Sequence, residues 1–184
     1  MPEAGVLLRE GPLASGRPVS VALQPAGSRF SARGGPEVAA RIGTAFGVAL
    51  PTEALRAVAS AERAALWLGP DEWLLVAPAE QDVTAVSLEA ALAGEPGCVV
   101  DVSHRQASFT VSGAGAADAL NVGCPLDLGL EAFPVGMSTR TVLAKADIVL
   151  WRTAADRWHL ECWRSFAPYV HAFLGEAARD DAEI

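Results

Sequence analysis

Asp101, Ser103 and His104 are the residues whose types could do nucleophilic chemistry, because they place a carboxylate, a hydroxyl and an imidazole within one short corner. The members of a catalytic triad, however, normally come from separate segments that meet in space. Residues this close in sequence rarely align a base with a nucleophile. We therefore expect Asp101 and Ser103 to hydrogen-bond to turn amides at a strand end, and we predict no catalytic residue in this chain.

Two pairs of side chains at strand ends are candidates for recognition instead. His104 and Arg105 complete the same corner, and loops at strand ends commonly carry binding residues. Trp163 and Arg164 stand at another strand-to-helix corner, and tryptophan with arginine is typical of interface hot spots. We predict that these four residues face a partner protein, with core packing as the competing interpretation for Trp163.

Two further patterns suggest ligands but lack essential parts. Gly113–Asp118 follows a strand and opens a helix, as a dinucleotide fingerprint does, but aspartate replaces the third glycine and would repel a pyrophosphate. His159 and Glu161 alternate onto one face of a strand, without the third or fourth ligand that a metal needs. We expect small residues at a tight turn in the first case and a solvated strand face in the second, and we predict no metal site.

The amino-acid composition indicates the class of protein and argues against some kinds of partner. At 184 residues, 51% hydrophobic and 20% charged, the chain is typical of a globular protein. Its net charge of -8 argues against nucleic acid or an anionic membrane as a partner. The three isolated cysteines, Cys98, Cys124 and Cys162, indicate a reducing compartment and are expected to be small core residues. With no signal-peptide pattern and no long apolar run, we expect a cytoplasmic protein without a membrane partner.

The elements that position these residues repeat along the chain. Cys98–Val100 is apolar on both faces and predicts a central strand, and the alternation in Gln106–Val111 predicts the next strand. Arg17–Gln24 and Ser28–Arg33 are predicted to pair across the turn that Pro25–Gly27 forms. Four such strand–strand–helix units, with helices beginning near 36, 82, 114 and 165, predict an α+β fold of mainly antiparallel sheet with helices packed on it.

The same pattern predicts the domain organisation. Glycine and proline interrupt residues 1–16, which we expect to be an irregular N-terminal arm. Residues 17–179 are predicted to form a single compact domain that contains all four units. The polar residues 180–184 are expected to be a frayed tail.

Several stretches between about residues 66 and 175 carry a family resemblance. They are Leu68–Val76, Val100–Arg105, Cys124–Leu128, Ala132–Gly136 and Arg164–Val170. As a set they resemble the gamma subunits of heterotetrameric sarcosine oxidases. More distantly, the D-V-S-H run followed by a strand, a glycine and a small-residue helix resembles the folate-binding aminomethyltransferases of the glycine cleavage system.

This resemblance implies an assembly of alpha, beta, gamma and delta subunits that oxidises sarcosine to glycine. The one-carbon unit leaves as formaldehyde or methylene-tetrahydrofolate, and oxygen is reduced to hydrogen peroxide. The resemblance places FAD, FMN and NAD on partner subunits and tetrahydrofolate in the complex. It implies that the gamma subunit shares the aminomethyltransferase fold and binds no cofactor of its own.

The chain departs from the aminomethyltransferase pattern at its catalytic segment. The resemblance aligns Leu143–Leu150 with a Gly-Gly hairpin and a pair of acids, but here the Gly-Gly loop is absent and only Asp147 remains of the pair. Asp147 and Asp101 are therefore the candidates for any surviving contact with folate. A shortened hairpin would draw the carboxylate out of a pterin pocket, so we do not expect independent folate catalysis.

Three hypotheses follow from these observations. The first is a non-catalytic gamma subunit that stabilises a sarcosine oxidase complex. The second is a stand-alone folate-binding protein for one-carbon transfer, of the aminomethyltransferase type. The third is an assembly factor that uses the same fold for unrelated partners, which the neighbouring genes would distinguish from the first.

Overall fold

The computed structural model describes residues 12–13, 19–60, 62–79 and 83–180. Within these ranges the chain is α+β with antiparallel strands and few helices, as the sequence predicts. The strands are β1 (Pro12–Leu13), β2 (Val19–Leu23), β3 (Gly27–Gly34), β4 (Ala57–Ala59), β5 (Ala64–Gly69), β6 (Glu72–Pro78), β7 (Gly97–Asp101), β8 (Gln106–Ser112), β9 (Ser138–Leu143), β10 (Ala146–Ala154) and β11 (Arg157–Trp163). The helices are α1 (Pro36–Phe46), α2 (Ala85–Ala90), α3 (Ala116–Asn121) and α4 (Ala167–Asp180), with 3₁₀ turns at Ser103–Arg105 and Arg164–Phe166. None of the helices in these ranges is long and apolar enough to cross a membrane.

The chain forms two compact units. The first unit draws on Met1–Gln24, Ala107–Val135 and Thr141–Ile184, and the second on Pro25–Gln106 and Gly136–Arg140. The single domain over residues 17–179 stays a prediction.

The two ends of the chain are described only in part. Of the predicted arm at residues 1–16, Pro12–Leu13 form β1 and pair with Val19 and Ser20 of β2. The remainder of that arm lies outside the described residues. Helix α4 extends through Asp180, and the rest of the predicted tail, residues 181–184, also lies outside them.

The first unit is a sheet covered by two helices. Its strand order is β1-β2-β8-β11-β10-β9, with Val21 opposite Val111 and Leu150 opposite Leu160. Helices α3 and α4 pack against each other and against β2. Large apolar side chains with no exposed surface fill this unit, namely Phe109, Val111, Leu120, Trp158, Leu160, Val170 and Leu174. Their alternate spacing on the strands and three-to-four spacing on α4 explain why these elements form.

The second unit has a five-stranded sheet in the order β4-β5-β6-β3-β7. Helix α1 begins at Pro36, where a missing N–H costs nothing, and ends before Gly47, which adopts the left-handed conformation with φ 80°. Side chains from the sheet, α1 and α2 form one apolar core that includes Phe30, Ile42, Phe46, Trp73, Leu75 and Leu88. The indole N–H of Trp73 donates to the carbonyl of Pro51 at 2.7 Å, so its polar atom is satisfied inside the core.

The predicted pairing of the first two long strands is wrong. Strand β2 pairs with β8, whereas β3 pairs with β6 and β7, so the two strands belong to different sheets. Pro25 therefore lies on a segment that passes from one sheet to the other, and no hairpin forms there. Alternation along a strand predicts that it exists but carries no information about its partner.

The prediction of a central strand at Cys98–Val100 is also wrong, because β7 is the edge strand of its sheet. Val99 is buried in the core of the second unit, but Val100 and Cys98 are exposed. Their side chains alternate to the face opposite Val99, and at the end of the sheet no neighbouring strand covers them. Cys98 is therefore not a core residue, whereas Cys124 and Cys162 are buried as predicted.

Candidate functional site

The corner between β7 and β8 is built by Asp101 and Ser103. The carboxylate of Asp101 accepts a hydrogen bond from the backbone N–H of Ser103 at 2.8 Å. The hydroxyl of Ser103 accepts the backbone N–H of Arg29 at 2.9 Å. Hydrogen bonds from the hydroxyl and N–H of Ser103, and then the charge of nearby His104, hold the pKa of Asp101 below its usual range. Asp101 satisfies a backbone N–H of the turn, as the sequence predicts, whereas Ser103 satisfies a backbone N–H of β3.

This geometry does not assemble a base and a nucleophile. Besides Asp101, whose lowered pKa makes it a weaker base, the Ser103 hydroxyl contacts the N–H of Arg29 on β3 and, at 3.4 Å, the Arg29 carbonyl. His104 and Arg105 follow on the 3₁₀ turn and are exposed. A nucleophilic serine needs its hydroxyl bonded to the base that takes its proton. The corner therefore connects β7 to β3 and presents His104 and Arg105 on the surface of the second unit.

The two folate candidates, Asp101 and Asp147, lie in different units. Asp147 is the second residue of β10, after the two-residue turn Ala144-Lys145 from β9, and its side chain is exposed. Asp101 is also exposed and is engaged with Ser103. Water solvates an exposed carboxylate, so it gains little from a hydrogen bond to a pterin. The residues present therefore do not fit a folate-binding acid pair.

His159 and Glu161 on β11 form a side-chain pair that was not predicted from the sequence. Glu161 is only 1% exposed, and its Oε1 lies 2.7 Å from Nε2 of His159. The ring of His159 meets Trp151 of β10 edge-on, with centroids 5.9 Å apart. The expectation of a solvated strand face is therefore wrong at Glu161. Within the described ranges, no three or more His, Cys, Asp and Glu side chains come together as metal ligands could.

Burial around this pair also affects the neighbouring thiol. Removal from water, followed by the charge of Glu161, raises the pKa of Cys162 to about 12. A thiol with so high a pKa carries almost no thiolate near neutral pH, and the thiolate is the reactive form. Cys162 is therefore an inert core residue.

Arg152 is a buried charge that sequence reasoning missed. Its guanidinium donates from Nη1 to the carbonyls of Leu128 at 3.0 Å and Phe133 at 2.9 Å. Its Nε donates to Ala155 at 3.1 Å, and the group lies 4.5 Å from the ring centroid of Trp158. Burial lowers the pKa of Arg152 from its ordinary value. Arg152 thereby holds the loop after α3 to β10.

A signal for Arg152 was present in the alternation of β10. Ile148, Leu150 and Arg152 occur at every second position, so an arginine occupies an inward position after two core residues. An inward arginine in a strand is rare unless its donors find acceptors. That pattern predicts a buried anchor, although it does not identify the acceptors.

The second unit contains a comparable missed contact. Glu72 of β6 accepts two hydrogen bonds from Arg140, one of them at 2.9 Å from Nη1. Arg33 approaches the same carboxylate at 3.6 Å. The hydrogen bond from Arg140 outweighs burial and holds the pKa of Glu72 below its usual range, and the same bond raises the pKa of Arg140. The site ties residues 136–140 to the strand β6.

Trp163 and Arg164, at the end of β11, are both exposed. Trp163 is 45% exposed, so the core interpretation does not hold for it. This pair belongs to the first unit, and the pair His104 and Arg105 belongs to the second. The remaining tryptophans of the strands are more enclosed, with Trp73 and Trp158 almost fully buried.

Comparison with known proteins relates this arrangement to one family. A family model described as "Sarcosine oxidase, gamma subunit family" matches residues 31–180. A sarcosine oxidase subunit gamma from Arthrobacter sp. is 41% identical over 122 residues, which are 66% of this chain and 60% of that relative. A sarcosine oxidase subunit gamma from Corynebacterium sp. (strain P-1) is 37% identical over 144 residues, covering 78% of this chain and 70% of the relative. The chain thus spans about 60% of the length of the Arthrobacter relative.

Solved structures agree with this assignment. A chain of the heterotetrameric sarcosine oxidase from Corynebacterium sp. U-96, in complex with pyrrole 2-carboxylate, superimposes with a TM-score of 0.87 at 30% identity, over 94% of this chain and 90% of that chain. The glycine cleavage system aminomethyltransferase T from Bartonella henselae gives a TM-score of 0.64 at 15% identity, over 88% of this chain and 49% of that one, which shows a shared fold alone. The resemblance stated from the sequence motifs is confirmed. The chain belongs to the sarcosine oxidase gamma subunit family.

Proposed function

We propose that this chain is a non-catalytic gamma subunit that stabilises a heterotetrameric sarcosine oxidase. The observation that carries the proposal is the backbone match, with a TM-score of 0.87 over 94% of this chain, to a chain of a heterotetrameric sarcosine oxidase. The reaction of the complex would be oxidative demethylation of sarcosine to glycine. Its other products would be hydrogen peroxide and either formaldehyde or methylene-tetrahydrofolate.

The use of the polar side chains supports a structural role. Asp101 bonds to a backbone N–H of its own corner and Ser103 to a backbone N–H of β3, and Arg152 bonds to three carbonyls. Glu72 is engaged with Arg140, and Glu161 with His159. These side chains already form hydrogen bonds within the fold. A reacting molecule would have to displace those bonds before it could use the groups.

The cofactors and remaining subunits belong to the same proposal. FAD, FMN and NAD would reside on partner subunits, and tetrahydrofolate would act elsewhere in the complex, with none of them bound by this chain. The partners would be alpha, beta and delta subunits, without nucleic acid or membrane. We further propose a cytoplasmic location, with which the three free cysteines agree.

Contact with the partners would use the residues exposed at the two strand-end corners. His104 and Arg105 offer a cationic corner on the second unit, and Trp163 and Arg164 an aromatic and cationic one on the first. Arginine suits such contacts because its planar guanidinium binds carboxylates at two points and stacks on rings. In a chain of net charge -8, these local cations would orient association.

Co-expression with the neighbouring large and small subunits tests the proposal. We expect this chain to co-elute with flavin absorbance on size exclusion, and the chain expressed alone to be colourless. A parallel expression that omits only this chain is the matched control, and it should lower the yield of the intact complex. A chain that elutes alone in every combination would contradict the proposal.

The aminomethyltransferase-like fold keeps one alternative in consideration, a stand-alone folate-binding protein for one-carbon transfer. Isothermal calorimetry of the isolated chain with tetrahydrofolate distinguishes the two functions. We expect no binding in the micromolar range. Micromolar binding that is lost in Asp147→Asn would favour the alternative.

A further inference from the structure

Four aromatic side chains at the end of β11 and the start of α4 form two ring pairs. They are Trp163, Phe166, Tyr169 and Phe173, and together they are called the aromatic face. Their spacing of three, three and four residues places them on one side of the 3₁₀ turn and the helix. The rings of Trp163 and Phe166 have centroids 6.4 Å apart, and those of Tyr169 and Phe173 are 6.2 Å apart.

One ring of the aromatic face packs against the backbone of Gly123. A Cβ atom on Gly123 would lie 2.6 Å from the ring of Phe173, so this ring rests directly on the glycine backbone. Val170 and Leu174, on the inward side of α4, have no exposed surface. Trp163 and Tyr169 are 45% and 37% exposed.

One arginine lies within the segment that carries these rings. Arg164 lies between Trp163 and Phe166 in sequence and is exposed. Within the described ranges no acidic side chain forms an ion pair with it. Large rings around an arginine are the composition in which binding energy concentrates at protein interfaces. The matching surface should therefore be apolar with a carboxylate at its edge.

We propose that the aromatic face docks this chain onto another subunit of the oxidase, in an apolar groove that has an Asp or Glu at its rim. This inference rests on the proposed function and assigns the contact to particular residues. A symmetric contact with a second copy, centred on this face, would bring two Arg164 guanidiniums together, which is unfavourable. The chain of similar backbone comes from a heterotetramer, so a different subunit is the occupant that both observations favour.

Co-expression of variants with the partner subunits tests the proposal. The double variant W163S and Y169S removes two exposed rings, so we expect the isolated chain to fold and melt as the wild type does. We expect at least a tenfold weaker association with the partner subunits, measured as the amount of this chain that co-elutes with them. The matched control is V86S, on α2 of the second unit, because Val86 is 77% exposed and lies outside the aromatic face.

The charge is tested separately with R164E. This variant keeps every ring, and it should weaken association more at low salt than at high salt, because like charges would then meet at the rim. If the double variant fails to fold, the R164E variant alone tests the proposal. Equal co-elution of R164E and wild type with the partner subunits at all salt concentrations overturns the proposal.

The possible outcomes separate this inference from the proposed function. Failure of the wild-type chain to co-elute with any oxidase subunit contradicts both. Normal co-elution of wild type, R164E and the folded double variant overturns only the docking face. A dimer of the isolated chain that is lost in the double variant would assign the face to a second copy, and this too would overturn the proposal.

Discussion

The carboxylate of Glu72 and the guanidinium of Arg140 form a two-point ion pair across 68 positions of sequence. Glu72 belongs to the turn and strand that carry one of the family motifs, and Arg140 lies on the first half of β9. The side chain of Glu72 is mostly shielded from water, at 14% exposed, whereas that of Arg140 is 53% exposed. The contact is therefore only partly screened by water, and it holds the pKa of Glu72 low.

Stability should depend on pH through this pair. Because the folded-state pKa of Glu72 is depressed, the pair stabilises the fold above the unfolded pKa, and the benefit is lost as pH falls through the folded pKa. We expect Glu72→Gln to lower the free energy of unfolding by about 1 kcal/mol near pH 7, after allowance for screening at Arg140. Urea unfolding of both proteins should converge in acid. The control is Glu53→Gln, which removes an exposed carboxylate and should change the free energy of unfolding little. A difference between wild type and Glu72→Gln that stays constant at all pH values would contradict the role of the Glu72–Arg140 pair.

Arg152→Ala should be among the most damaging substitutions in the first unit. It leaves the carbonyls of Leu128, Phe133 and Ala155 without their donor and removes the cation over Trp158. We expect a loss of about 3 kcal/mol in the free energy of unfolding by urea.

The matched control for Arg152 is Arg157→Ala, on the neighbouring strand. Arg157 is exposed, so its loss should change stability by less than about 0.5 kcal/mol. Equal effects of the two substitutions would show that Arg152 is not the anchor of its loop.

Thiol reactivity should distinguish the three cysteines. Cys98 is exposed on an edge strand, Cys124 is buried, and burial with the charge of Glu161 raises the pKa of Cys162 to about 12. We expect iodoacetamide near pH 8 to modify one thiol in the folded chain and all three in urea, counted by mass spectrometry. Cys98→Ser should abolish labelling of the folded chain. Rapid labelling of folded Cys162 would be inconsistent with its burial.

Ser103→Ala tests whether the corner acts on the backbone. The substitution removes the acceptor for the Arg29 N–H and should cost about 1–2 kcal/mol of stability, measured by thermal or urea unfolding. Ser165→Ala, at an exposed position on the other corner, is the control and should be nearly neutral. A variant that loses oxidase activity in the complex without losing stability would instead indicate a catalytic serine.

The local elements of this fold could be predicted from the sequence because their signals are local. The alternation in β8 and β10 and the three-to-four spacing in α4 predict a strand or helix directly. The order of strands in each sheet could not be predicted, since β2 and β8 are separated by about half of the chain. An apolar edge strand such as β7 has the same composition as a central one, so its position was assigned wrongly.

In the candidate site, too, local contacts could be predicted from the sequence and long-range contacts could not. The role of Asp101 followed from turn chemistry within a few residues. The contact of Ser103 with Arg29 spans 74 positions and could not be predicted in this way. The burial of Glu161 could not be predicted, because it depends on what covers the face of β11. The alternation of β10 could have identified Arg152 as inward, but its acceptors at Leu128 and Phe133 lie on a distant loop.

The turnover number of the assembled oxidase, per mole of flavin, tests most directly whether this chain acts by contact alone. The variant chain carries Asp101→Asn and Asp147→Asn together, which removes both candidate carboxylates and leaves the aromatic face intact. We predict the same kcat and KM for sarcosine as in the wild-type complex, with tetrahydrofolate present or absent. A complex that assembles fully but loses kcat at least tenfold would contradict this account and assign chemistry to the gamma chain.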